Sequence, residues 1–146
     1  MKSLTSVAVA LTTVALVASL VLTASAEPQV IDTITLGEDI PYNVAANPQT
    51  NLVYVTARDV DAGAGVYYVA VIDSSTNNVT ATIPIENGTL SHVRGIAVNP
   101  NTNTVYVATA NSSSPVGGIA VIDGVTNAVT AYITVGQNPW GLAVNP

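Results

Sequence analysis

The sequence predicts an all-β chain: a β-propeller of four-stranded antiparallel blades, incomplete, with about two full blades plus flanking strands. Three observations carry this. The chain copies itself at offsets of 46 to 52 residues, a period that belongs to blade repeats. Each copy holds four short segments rich in Val, Ile, Tyr and Thr, bounded by Asn-Pro, Thr-Asn or Gly-rich punctuation, which is the signature of four strands per unit. Past the N-terminal apolar stretch, no window of helical length shows a 3.6-residue apolar period.

The copies align by three markers. VIDSSTNNVTATIPI at 71 to 85 returns as VIDGVTNAVTAYITV at 121 to 135, and VIDTITL at 30 to 36 is a looser copy. YNVAANP (42 to 48) returns as RGIAVNP (94 to 100) and WGLAVNP (140 to 146), and TNLVYVTA (50 to 57) as TNTVYVAT (102 to 109). Length differences collect at 59 to 65, 86 to 92 and 111 to 118, stretches of Gly, Ser, Asn and Asp that read as loops.

The elements follow in order. Lys2, the sixteen-residue stretch Val7 to Leu22, and Ala24-Ser25-Ala26 have the layout of a secretory signal peptide, cleaved after Ala26. An uncleaved anchor is the rival, but a spanning helix asks for about 20 apolar residues. Residues 30 to 36 read as a lone outer strand, 42 to 85 as the first blade, 94 to 135 as the second, and 140 to 146 as the first strand of the next. A sandwich would alternate apolar and polar residues. LVYV, VYYVAVI and GIAVI are apolar on both faces instead, as sheets stacked between neighbours require.

The linked order VIDSSTNNVTATIPI … RGIAVNPNTNTVYVAT resembles the YVTN family of β-propeller repeats, surface-layer-like proteins, over nearly all of residues 30 to 146. The hallmark departs at Ala57, after Tyr54-Val55-Thr56, and at Ala108-Thr109, after Tyr106-Val107. The resemblance implies a ring of about seven blades, far more than this chain holds. A partial array leaves apolar sheet faces and strand edges uncovered, so the expectation is a fragment, or else a chain that self-associates.

Composition limits the function. After Ala26 the cations are Arg58 and Arg94 against nine acids, a balance of −7, which excludes nucleic acid as a partner because phosphate neutralisation needs clustered cations. The absence of Cys removes disulfides, thiolate metal sites and thiol lipidation. No haem motif or copper ligand set is present, so no cofactor is expected. The expectation is a secreted or cell-surface chain with no membrane span once the signal peptide is cut, and with an extracellular or envelope protein or glycan as its partner.

Several residues admit a functional reading beside an ordinary structural one. Tyr42, Arg94 and Trp140 share the position that opens the inner strand and are the ligand-binding candidates. His92 stands alone among the histidines, reads as a solvated loop residue, and builds neither a metal site nor a triad without placed partners. Asp59 and Asp61 resemble the start of a calcium loop, but the remaining ligands are missing and a turn is favoured. Asp73 and Asp123 read as turn caps. Asn78, Asn87 and Asn111 head N-x-[ST] sequons, with the loop sites Asn87 and Asn111 better placed to carry a glycan. No catalytic residue is assigned. The expected function is therefore an exported, non-catalytic binding scaffold; the alternative is a propeller lyase or lactonase whose catalytic residues lie in other blades.

Overall fold

A computed structural model describes residues 29–62, 66–85, 92–110 and 116–146. The chain divides into two units, Met1–Ile31 and Asp32–Pro146. The expected signal peptide, and with it the question of cleavage, lies outside the described residues, and all that follows concerns the second unit.

Eight strands form: β1 Ile40–Asn47, β2 Leu52–Arg58, β3 Tyr67–Asp73, β4 Asn78–Pro84, β5 His92–Asn99, β6 Thr104–Ala110, β7 Gly117–Asp123 and β8 Ala128–Val135. They make two antiparallel sheets in chain order, β1-β2-β3-β4 and β5-β6-β7-β8, with no helix among the described residues. These are the four-stranded blades of an incomplete propeller. The repeat extends to irregularities: β3–β4 shifts register between Val71 and Ile72, and β7–β8 between Val121 and Ile122.

The blades stack face to face, with β1 and β5 in contact. Alternation along each strand sends one set of side chains into the shared core. Tyr54, Val69, Val71, Ile83 and Ile85 from the first blade meet Val93, Ile96, Val105, Val107 and Ile122 from the second. Burying each such aliphatic side chain contributes about 1.5–3 kcal/mol. Apolarity on both faces has its counterpart on the far side of the first blade, where Val53, Val55 and Ile72 join Ile34 and Leu36 in lining a cleft of about 470 Å³. On the outer side of the second blade, Tyr106, Ile119 and Ile133 face Leu142 and Val144 across a cleft of about 400 Å³.

Four tight turns, all at one end of the sheets, share a single construction. Their sequences are NPQTN, DSSTN, NPNTN and DGVTN, beginning at 47, 73, 99 and 123. The opening Asn or Asp accepts the amide N–H two residues on, as Asn47 does from Gln49, Asp73 from Ser75, Asn99 from Asn101 and Asp123 from Val125. The closing Asn51, Asn77, Asn103 and Asn127 have φ between 50° and 57°, the left-handed region that Asn tolerates better than other residues with a side chain.

The strands expected at 30–36 and 140–146 are not strands in the structure. A strand is stabilised by a neighbour's row of N–H and C=O groups, and among the described residues neither segment has one. The second is tied down at one point, where the Gly95 amide donates to the Trp140 carbonyl at 2.9 Å, and the chain leading to it at another, where the Gly117 amide donates to the Gly136 carbonyl at 3.3 Å. Glycine at 95 is required here, because a Cβ would stand 2.5 Å from the Trp140 oxygen.

Candidate functional site

Up-and-down topology brings the starts of odd strands and the ends of even strands to one end of the sheets, opposite the tight turns. Tyr42 near the start of β1, Arg58 at the end of β2, Tyr67 at the start of β3, and His92 and Arg94 at the start of β5 all lie there. Arg58 and Arg94 are the only arginines of the chain, so an acidic protein has gathered both at one edge.

Two of these side chains sit at breaks in the ladder. β1 shifts register between Pro41 and Asn43, leaving Tyr42 unpaired, and β5 shifts between Val93 and Ile96, leaving Arg94 and Gly95 unpaired. Bulges re-aim side chains and recur beside functional sites. The first is held by buried Thr56, whose hydroxyl donates to the Asn43 carbonyl and accepts the Asn43 amide at 3.1 Å. Asn43 Nδ2 then donates to the Arg94 carbonyl at 3.1 Å, joining the two bulged strands.

The side chains form a run of three rings and, beside it along β5, a stacked pair. The Tyr42 and Tyr67 ring centres are 6.4 Å apart and those of Tyr67 and His92 6.1 Å apart, within the range of productive aromatic contact. The Arg94 guanidinium carbon lies 3.8 Å from the Trp140 ring centre, a cation–π stack. Tyr42 is 41% and Trp140 67% exposed, so both present ring surface to solvent.

Electrostatics tie the row together. Burial lowers the His92 pKa from its ordinary 6.5, and Arg94 and then Arg58 lower it further; neutral imidazole is favoured. Burial raises the Tyr67 hydroxyl pKa, Tyr42 adds to that, and Arg58 and Arg94 oppose it. Both guanidinium groups therefore act on the same tyrosine and the same histidine. Their Nε atoms are buried without a hydrogen-bond partner.

The three sequence candidates separate. Arg94 and Trp140 are in direct contact, whereas Tyr42 reaches the row through Tyr67. His92 corrects an expectation: it opens β5, pairs with Ala110 and is half-buried, because the strand starts two residues before the expected boundary. Arg58 and Tyr67 went unrecognised; strand parity was the signal that places them at this edge. Asp59 Oδ1 accepts the Asp61 and Ala62 amides at 2.9 and 2.8 Å, an Asx turn, and no group of three metal-ligating side chains occurs among the described residues. Asp73 is a turn cap whose pKa is lowered mainly by the Ser75 hydroxyl and amide. Asn78 is exposed at the start of β4, while its sequon partner Thr80 donates to the Val71 carbonyl at 3.1 Å; Asn87 and Asn111 lie outside the described residues.

No family model matches the chain. A stretch of 62 residues is 42% identical to the PE-PGRS family protein PE_PGRS18 of Mycobacterium tuberculosis. That match covers 42% of this chain and 12% of the mycobacterial protein, so the chain spans only a small part of its relative's length. Among solved structures, a chain of Kuenenia stuttgartiensis hydrazine synthase is similar with a TM-score of 0.44 and 15% identity, over 67% of this chain and 38% of that one. No helix among the described residues is long and apolar enough to cross a membrane.

Proposed function

We propose that the chain is an exported propeller repeat protein that works without catalysis, as a cell-surface or envelope scaffold binding a partner through the loop edge of its blades. The observation that carries this reading is the row Tyr42, Tyr67, His92, Arg94 and Trp140, with Arg58 beside it, on a two-sheet framework. Tyr, Trp and Arg are the residues that dominate binding energy at recognition surfaces. Strand ends packed on a shared core hold all of these but Trp140 more firmly than free loops would. The N-terminal signal-like layout, the Asn- and Thr-rich acidic composition and the resemblance to YVTN repeats support export and display.

The test is localisation coupled to binding. Intact producing cells are labelled with a membrane-impermeant reagent, and envelopes stripped of the protein are then offered purified chain and its Trp140→Ala variant. Surface labelling, with re-binding weakened in the variant, is the expected result. A protein that is shielded from the reagent and does not return to envelopes would overturn the reading.

A further inference from the structure

The strongest unsatisfied chemistry in the molecule is cationic. Arg58 and Arg94 each bury an Nε–H with no acceptor, and among the described residues no carboxylate pairs with either, although the chain carries nine. The nearby acid Asp39 is already engaged: its Oδ2 accepts the Tyr68 hydroxyl at 2.6 Å and its Oδ1 the Val60 amide at 3.1 Å. Buried donors are nearly always paired, and leaving one unpaired costs about 1–3 kcal/mol. Arg58 pairs with Tyr67 across the β2–β3 ladder and Arg94 lies two residues from His92 on β5, so two donors without an acceptor among the described residues stand at one edge.

The kind of acceptor follows from the surroundings. A guanidinium is a planar fork suited to a carboxylate, and stacking on an aromatic ring leaves its in-plane donors available. Trp140 provides that stack for Arg94. Tyr42 and Trp140 offer exposed ring surface of the kind on which the C–H face of a sugar rests, while the Tyr42 hydroxyl supplies a polar contact. Resting on the binding-scaffold reading above, we infer that this edge binds the carboxylate of an acidic sugar, with Arg58 and Arg94 on the carboxylate and the Tyr42 and Trp140 rings beside the pyranose.

Trp140 is the only tryptophan of the chain, so its fluorescence reports on the site without any substitution. The purified full chain is titrated with trigalacturonate, with fully methyl-esterified trigalacturonate and with triglutamate. Nitrogen-15 NMR follows the two arginine Nε–H signals at the same time. The expected result is saturable quenching and shifted Nε–H signals with trigalacturonate alone, with affinity about 10-fold weaker in Arg58→Gln and in Arg94→Lys. Circular dichroism verifies that each variant is folded, and the wild-type NMR shifts decide the matter if one is not. Equal binding of the methyl ester, preference for triglutamate, or unmoved Nε–H signals would overturn the inference. If envelopes still take up the chain after such a result, the scaffold reading survives with another ligand; if they do not, both fail.

Discussion

The two ends of the blades are built on opposite principles. At the turn end, four copies of one five-residue pattern make four nearly identical turns, and the blades are latched there by side-chain amides: Asn47 Nδ2 donates to Asn103 Oδ1 at 2.7 Å, and Gln49 Nε2 to Asn101 Oδ1 at 3.2 Å. At the loop end the connections vary in length, the inner strands carry bulges, and aromatic rings and both arginines collect where no acid of the described chain neutralises them. The turn end pairs most of its side chains internally, with Asn127 Oδ1 an exception; the loop end leaves the Nε–H of both arginines without an acceptor among the described residues. Separating the two lets the repeat hold the fold while the loop end varies.

The largest expected effect breaks the latch. Asn47 is fully buried, so Asn103→Ala orphans its amide and also places a less suited residue at φ 50°; a loss of about 2–4 kcal/mol is expected in denaturant unfolding. Asn103→Gly keeps the backbone and should lose less. Equal losses for the two variants would mean that the turn conformation contributes nothing beyond the latch.

A somewhat smaller effect compares equivalent positions of the two blades. At Gly124 a Cβ would stand 2.6 Å from Asn103 Oδ1, so Gly124→Ala should cost about 1–3 kcal/mol by overpacking. Ser74, at the same place in the first blade, already holds a Cβ and donates its hydroxyl to the Asn51 carbonyl; Ser74→Ala should cost roughly 1 kcal/mol. Similar thermal shifts for both would remove the asymmetry attributed to the latch.

A pH effect separates the ends next. His92 faces Tyr67 and lies in the fields of Arg94 and Arg58. Its folded pKa is below 6.5, so the unfolded chain binds the proton more readily; this contribution to stability is whole above pH 6.5 and is lost as pH falls through the folded value. His92→Gln should flatten the stability profile below pH 6.5. An unchanged slope would remove His92 from the charged row.

The smallest effect belongs to Arg58→Gln. With no acceptor for its Nε–H among the described residues, stability should stay within about 0.5 kcal/mol of the original while ligand binding drops. A large fall in melting temperature would mean that Arg58 serves the fold after all.

Much of the fold was legible because its instructions are local and repeated. The blade period, the four segments per copy and the turn role of Asp73, Asp123 and the Asn-Pro pairs follow from spacing and residue type. Legibility stopped where long-range pairing decides: 30–36 and 140–146 carry strand composition but no ladder, since composition cannot supply a neighbour. The site was half readable. Tyr42, Arg94 and Trp140 shared a repeat position, whereas Arg58, Tyr67 and His92 come from other positions and join them only through the antiparallel return of the chain and the stacking of two blades.

By itself the sequence determined the all-β class, the repeat unit and the turn chemistry, because each depends on contacts within a few residues or on a period that recurs. Only the tertiary structure decided that the two arginines, far apart in the chain, share one edge, that bulges free Tyr42 and Arg94 from the ladder, and that Asn47 of one blade holds Asn103 of the next. Those outcomes depend on register and on face-to-face packing, which arise between segments distant in sequence and are encoded in no single one of them.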